Sequence, residues 1–255
     1  MEQNNRPLEK ELLDIIFGEK TNVKLWNKEI DCQSTIRTAL QDAQFNSRFA
    51  KKFVSLILHL IALEQIGDLF CPEEKGGYNY GIAKALKTFM PKLNPRERQG
   101  ITNLRHALAH NFGLSFINND QIEYYNTQNN KKIKAGEQPE YDLNETNYKY
   151  ILHFAKEYKK DDKTETYPLI KQPDIEWNGE FRHTELRQVA DSKLNSTDSF
   201  EICVPLLIEK IKEVYEILKQ KHQKGELHFA SKSGNNIITD NELCEIAFKY
   251  FVYNE

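Results

Sequence analysis

Apolar positions recur at helical spacing through most of this chain, and polar or glycine-rich stretches punctuate them. Leu12, Leu13, Ile16 and Phe17 predict a short helix over Leu8–Phe17, ended by Gly18. Ile36, Leu40 and Ala43 continue into Phe49, Phe53, Leu56, Leu60 and Leu63, which predicts one long helix from Ser34 to Phe70. Leu56, Ile57, Leu60 and Ile61 make it apolar most of the way round, as in the central helix of a bundle. Pro72, Gly76 and Gly77 break the pattern, and Ile82, Ala83, Ala85, Leu86 and Phe89 restore it as a short helix over Gly81–Met90. Asn94, Pro95 and Glu97 read as a helix start and Gly113 as a stop, giving a helix over about 95–111.

After Gly113 the period shortens. Leu114–Ile117 and Gln121–Tyr125, parted by Asn118, Asn119 and Asp120, predict a β-hairpin, and Ile133 can start a third short strand, so the insertion spans about 114–134. Tyr148, Ile151, Leu152, Ala155 and Tyr158 predict a helix over Asn144–Lys160. The charged, turn-rich run Lys159–Pro173 reads as a soft boundary. Beyond it come a short helix near Phe181–Val189, a turn at Asn195–Ser199, and a long helix over Phe200–Lys221. Thr239 and Glu242 form a capping box that opens a last helix, with Leu243, Ile246, Ala247, Tyr250 and Phe251 inward. The expected fold is mainly α: a bundle of four or five helices over residues 1–160, one small β-hairpin insertion, and a helical C-terminal extension over 174–255 packed on it or part of the same domain.

Composition narrows the function classes. Of 255 residues, 39% are hydrophobic and 29% charged, enough for a core of ordinary size in a water-soluble chain. A net charge of −3 argues against a globally basic coat for nucleic acid, although a local basic groove is enough for transient binding. Cys32, Cys71, Cys203 and Cys244 are far apart, which speaks against zinc knuckles and disulfide frameworks and suits a reducing cytoplasm. Met1–Arg6 is polar and shows no secretory signal, and the most apolar run, Phe53–Leu63, is too short to span a membrane.

Chemistry concentrates in Asn103-Leu104-Arg105-His106-Ala107-Leu108-Ala109-His110-Asn111. On the predicted helix His106 and His110 share a face, while Arg105 is rotated about 140° from His110 and lies about 7.5 Å below it. One helix therefore does not bring Arg105 against His110; a second helix or a dimer axis could. Upstream, Lys84, Lys87, Lys92, Arg96 and Arg98 with Tyr78 and Tyr80 form a basic, aromatic stretch that could steer an RNA backbone and stack a base, or be a plain solvated face. Glu64 and Asp68, four apart near the end of the long helix, are costly if buried alone. Arg105 is a natural partner for them; a solvated helix end is the other reading. The histidines also have the i, i+4 spacing of zinc helices. Ala107 stands where the glutamate of such a motif belongs, and no third ligand is near, so no metal or cofactor is expected. Arg105 as a surface ion-pair residue and the histidines as a capped helix end remain a structural alternative. Arg182-His183 lacks the motif's spacing and is read as surface.

Arg105-His106-Ala107-Leu108-Ala109-His110 resembles the R-x4-H form of the HEPN-domain signature, including the polar residue after the arginine and the Leu-Ala-His helix end. The resemblance implies a helical bundle, usually dimeric, and a metal-independent endoribonuclease of the kind found in anti-phage defence and toxin–antitoxin systems. It implies catalytic roles for Arg105, His110 and His106, with Asn103, Glu64 and Asp68 supporting, the position of Glu64 matching the family's acidic residue on the facing helix. The implied chemistry is attack by the RNA 2′-OH, leaving a 2′,3′-cyclic phosphate. It further implies an RNA substrate, a homodimer with a composite active site, a possible cognate antitoxin or regulatory protein, and no membrane. Where some members carry a modifiable tyrosine two residues after the motif histidine, this chain has Phe112, so that form of control looks closed. A non-catalytic HEPN module that binds a nucleotide or a protein is the alternative reading, and a helical interaction protein with a coincidental motif is another.

Overall fold

A computed structural model describes residues 7–25, 28–44, 49–73, 80–111, 115–116, 147–160, 162–171, 197–232 and 238–253. The chain is mainly α, with seven helices and three small sheets among the described residues. In chain order come α1 (Pro7–Ile16), β1 (Asn22–Leu25), β2 (Lys28–Ser34), α2 (Thr35–Gln44), α3 (Phe49–Phe70), α4 (Gly81–Phe89) and α5 (Pro95–Asn111). There follow β3 (Ser115–Phe116), β4 (Asn147–His153), β5 (Glu157–Lys160), β6 (Lys163–Thr166), β7 (Ile170–Lys171), β8 (Thr197–Cys203), α6 (Val204–Gln223), α7 (Asp240–Tyr250) and β9 (Phe251–Tyr253).

Two compact units result, one of residues 1–94 with 206–255 and one of 95–205. The division expected between 160 and 174 is therefore not the one found. The C-terminal residues are not an extension of their own; they share a unit with the N-terminal helices.

In the first unit the expected long helix from Ser34 is two helices, α2 and α3, which pack on one another. Ser34 is instead the last residue of β2, whose buried Cys32 and Ser34 alternate with exposed Asp31 and Gln33. That strand pairs antiparallel with β1 on one side and with β9 on the other. Leu56, Leu60, Leu63, Ile66 and Leu69 of α3 are buried, as are Ile82, Ala85 and Leu86 of α4, which packs on it. The two backbones meet at glycines: a methyl group on Gly67 would overlap the Gly81 carbonyl, and one on Gly81 would overlap the Glu64 carbonyl. One helix, Lys52–Phe70, is after all long and apolar enough to cross a membrane by length and composition, and half of that stretch is buried in the fold. Its buried half packs against α2 and α4. The capping box stands as expected: the Glu242 N–H donates to Thr239 Oγ1, and the Thr239 N–H donates to Glu242 Oε2 at 2.7 Å.

In the second unit the helix expected over Asn144–Lys160 is strand. β4 runs parallel to β8, from Asn147 opposite Thr197 to His153 opposite Cys203, and β3 and β7 complete a mixed sheet of order β3-β4-β8-β7. The helical spacing of Ile151 and Leu152 misled because the aromatic and β-branched run Tyr148–Leu152 also fits a period of two: Tyr150 is buried and Ile151 exposed. The same holds for Phe200–Cys203, expected as the start of a helix. Phe200 and Ile202 are buried, Glu201 is half-exposed, and the helix begins only at Val204. β5 and β6 form a hairpin that turns through Asp162, whose φ is 60°. Of the expected 114–134 hairpin only Ser115–Phe116 is described; it is a strand, paired with β4 rather than within a described hairpin. The predicted helix near Phe181–Val189 and Arg182-His183 lie outside the described residues.

Candidate functional site

The motif helix α5 belongs to the second unit and packs on its sheet. Gly100, Ile101, Thr102, Asn103 and Leu104 are buried in succession, so the middle of the helix is enclosed all round. Gly100 permits close approach: a methyl group there would lie 2.9 Å from the Phe200 ring. The Tyr150 hydroxyl donates to the Gly100 carbonyl at 2.7 Å, and its ring stacks on Phe200 at 6.2 Å. A side chain of the sheet thus fixes the helix five residues before Arg105. Arg105 and His106 follow in half-buried positions, while Ala107 and Leu108 return to the core. Arg105, His106 and His110 all fall on the last two turns, as the sequence implied; the side chain of His110 and all of Phe112 lie outside the described residues.

Polar groups inside α5 are largely used locally. Thr102 Oγ1 donates to the Arg98 carbonyl at 2.9 Å, and Gln99 Nε2 donates to Asn103 Oδ1 at 2.9 Å. The Asn103 amide nitrogen is buried and has no hydrogen-bond partner among the described residues. A buried donor of this kind is costly unless it meets an acceptor.

The expected helpers of the motif are placed by the first unit. Asp68 on α3 accepts a hydrogen bond from the Tyr250 hydroxyl at 2.9 Å, with Lys84 Nζ at 3.8 Å and Lys249 Nζ at 3.9 Å. Burial, and then the Asp68 charge, push the Tyr250 phenol well above its ordinary range. Asp68 is therefore engaged at that place, and Glu64 is half-buried one turn before it. Lys84, expected to face an RNA backbone, is buried with its ammonium toward Asp68, because the short helix α4 turns that face onto α3. Lys87, Lys92 and Arg96 are exposed, Arg98 is half-buried, Tyr80 is half-exposed, and Tyr78 lies outside the described residues. Lys84, Lys87 and Lys92 belong to one unit and Arg96 and Arg98 to the other.

A second cluster, which the linear pattern does not reveal, lies in the first unit where two helices end. At the end of α1 the Gly18 N–H donates to the Ile15 carbonyl and the Glu19 N–H to the Asp14 carbonyl at 2.7 Å, with φ of 81° at Gly18. At the end of α6 the Gly225 N–H donates to the His222 carbonyl at 2.8 Å and the Glu226 N–H to the Lys221 carbonyl at 2.9 Å, with φ of 70° at Gly225. Both are Schellman closures, which need a left-handed residue and so favour glycine. The first folds Glu19 back beside Asp14. The second ends α6 just after His222, whose Nε2 is 2.9 Å from Asp14 Oδ1 and 3.4 Å from Glu19 Oε2. The imidazole also stacks on Phe17 at 5.3 Å. Glu9, nearby, accepts the Phe229 N–H at 3.0 Å and lies 3.4 Å from His228 Nδ1. These groups line a cavity of about 340 Å³. Gly18 is legible in the sequence as a helix stop, but Asp14 and His222 stand 208 positions apart and nothing local links them.

His59 on α3 is a further buried polar group. Its Nδ1 lies 2.7 Å from the Ser55 carbonyl, which fixes the proton on Nδ1, and burial lowers its pKa, so the ring is neutral near pH 7. Its Nε2 is buried without a partner among the described residues.

Comparison of the chain with protein-family models, with curated proteins and with solved structures finds no match, so what these residues can do rests on their own chemistry.

Proposed function

We propose that the chain is a cytoplasmic, metal-independent RNA endonuclease of HEPN type acting through Arg105, His106 and His110. The observation that carries this reading is the grouping of the three residues on the last two turns of one helix, Pro95–Asn111, whose middle is pinned against a sheet. RNA carries its own nucleophile. One imidazole takes the 2′-OH proton as the 2′-oxygen attacks phosphorus, a second acid protonates the departing 5′-oxygen, and a 2′,3′-cyclic phosphate remains. A guanidinium matches the developing charge on the phosphorane oxygens with its fixed fork of donors. Two copies packed motif to motif supply one histidine as base and one as acid, and overcome the angular separation of Arg105 and His110 along one helix. Such an activity fits anti-phage defence or a toxin held by a cognate partner protein.

The test is cleavage of total tRNA and of a long mRNA by purified protein in EDTA, with Arg105→Ala and His110→Ala alongside. Wild type should cut and leave cyclic phosphate ends. Each substitution should slow cutting by roughly 100-fold or more, the usual contribution of a positioned acid or base. Equal cutting by all three proteins would overturn the assignment. Inert protein in vitro, together with no growth arrest when wild type is expressed in cells, would favour a non-catalytic module that binds a nucleotide or a protein.

A further inference from the structure

We propose that the converging C-terminal ends of α1 and α6 hold a divalent transition-metal ion between Asp14, Glu19 and His222. This site lies in the first unit and is independent of the motif helix. The donor atoms of the three residues all lie within 4.8 Å of one another. An ion bound at about 2.1 Å sets neighbouring ligand atoms about 3.0 Å apart in octahedral geometry and about 3.4 Å apart in tetrahedral geometry. The observed separations from His222 Nε2 are 2.9 Å to Asp14 and 3.4 Å to Glu19. The two separations from the imidazole thus match edges of a coordination shell, and the two carboxylates lie within 4.8 Å of one another on either side of it.

Electrostatics favour a cation here for reasons beyond the ligands. Each Schellman-closed helix presents its negative end to the site, and the fractional charge of two helix dipoles adds to the carboxylates. Three carboxylates line the cavity, those of Glu9, Asp14 and Glu19. Lys10 also lines the cavity, and Lys20 Nζ lies 3.8 Å from Asp14 Oδ2, the oxygen that does not face His222. Asp14 can therefore ligate through Oδ1 and keep Lys20 on Oδ2, an outer contact that orients the ligand. The Asp14 and His222 side chains are 6% and 8% exposed, whereas Glu19 is 44% exposed. Two ligands are pre-organised in the fold, and the third closes the open side, where water completes the shell. One imidazole nitrogen with two carboxylates suits zinc or manganese better than calcium or magnesium, which prefer oxygen alone.

The competing arrangement is His222 held by polar contacts between the two carboxylates, with no ion. Titration calorimetry on the full chain with zinc alone, and then with manganese, separates the two. Saturable binding of one ion per chain is expected. Asp14→Asn keeps the shape and should weaken that binding roughly 10- to 100-fold, as should His222→Gln, with circular dichroism confirming that each variant folds. Cys244→Ser removes the exposed thiol that most readily captures zinc adventitiously and should leave binding intact. Absence of binding by either metal to the folded chain, or loss of it with Cys244→Ser alone, would overturn the site. If neither variant folds, anomalous diffraction from wild type soaked with zinc decides: a peak in bonding distance of Asp14, Glu19 and His222 supports the proposal, and a peak elsewhere or none refutes it. Because RNA cleavage is assayed in EDTA, failure of that reading leaves this one standing, and the reverse.

Discussion

The two units bury their key helices against different partners. In the first, α3 lies against helices, and its contact with α4 is backbone on backbone at Gly67 and Gly81. In the second, α5 lies on a sheet, and its contact is backbone on side chain, Gly100 against the ring of Phe200 and under the hydroxyl of Tyr150. Both contacts require a residue without a side chain, yet they differ in what could give way. A peptide carbonyl is held at both ends by its own helix. A ring can tilt by a few tenths of an ångström if its neighbours allow it. The α3–α4 seam is therefore a rigid feature, and the seat of the motif helix has some tolerance.

That contrast orders the expected effects. Gly67→Ala places a methyl group inside the Gly81 carbonyl, and the two helices must separate. The loss should be on the order of 3 kcal/mol or more, beyond ordinary overpacking. For Gly100→Ala the nearest atoms are those of the Phe200 ring, at 2.9–3.1 Å, and the cost should be about 1–2 kcal/mol. Gly225→Ala meets nothing within 4 Å, and only its φ of 70° opposes it, so the cost should be about 1 kcal/mol. Urea unfolding reads all three. If Gly100→Ala proves as costly as Gly67→Ala, the ring is as immovable as a backbone and the comparison collapses. Should Gly100→Ala fold well and still lose any RNA cleavage, the seat of α5 sets the position of Arg105 more finely than stability requires.

What could be read from the residues alone follows the range of the forces. The helix ended by Gly18 and the capping box at Thr239 were legible because their signals lie within one turn. The mainly α character was legible from the apolar spacing of α1, α3, α4 and α5. The parallel pairing of β4 with β8 was not, because Asn147 and Thr197 lie 50 positions apart and a short aromatic run fits both periods. The unit boundary was missed for a related reason: charge and turns at 159–173 mark a β-hairpin, and the true division depends on 206–255 returning to the first helices. For the sites the asymmetry is sharper. Arg105, His106 and His110 form a readable string on one helix, and the chemistry proposed for them would depend on partners beyond it. Asp14, Glu19 and His222 form no string, yet the fold sets them ligand-close.

A smaller effect tests whether the first unit's closures are as rigid at its polar ends as at its glycine seam. Glu242 accepts from four donors: the Thr239 N–H at 2.7 Å and hydroxyl at 2.9 Å on one oxygen, the Ser231 hydroxyl at 3.0 Å and Lys232 N–H at 2.9 Å on the other. The Thr239 N–H is the largest cause of a carboxyl pushed down to about 2 from its ordinary 4.5. A depressed folded-state value means the unfolded chain takes up the proton first as pH falls. The stabilisation is whole above about pH 4.5 and drains away between there and about pH 2. Glu242 is only half-buried, so solvent screening holds its contribution to about 1 kcal/mol. Glu242→Gln should flatten the stability–pH profile by that amount within this window and leave the neutral-pH difference between Gly67→Ala and Gly100→Ala untouched. A profile as steep in Glu242→Gln as in wild type would mean the four donors are met by water as readily as by the carboxylate. In that case the rigidity of the first unit would rest on its glycine seam rather than on the polar closure of its helix ends.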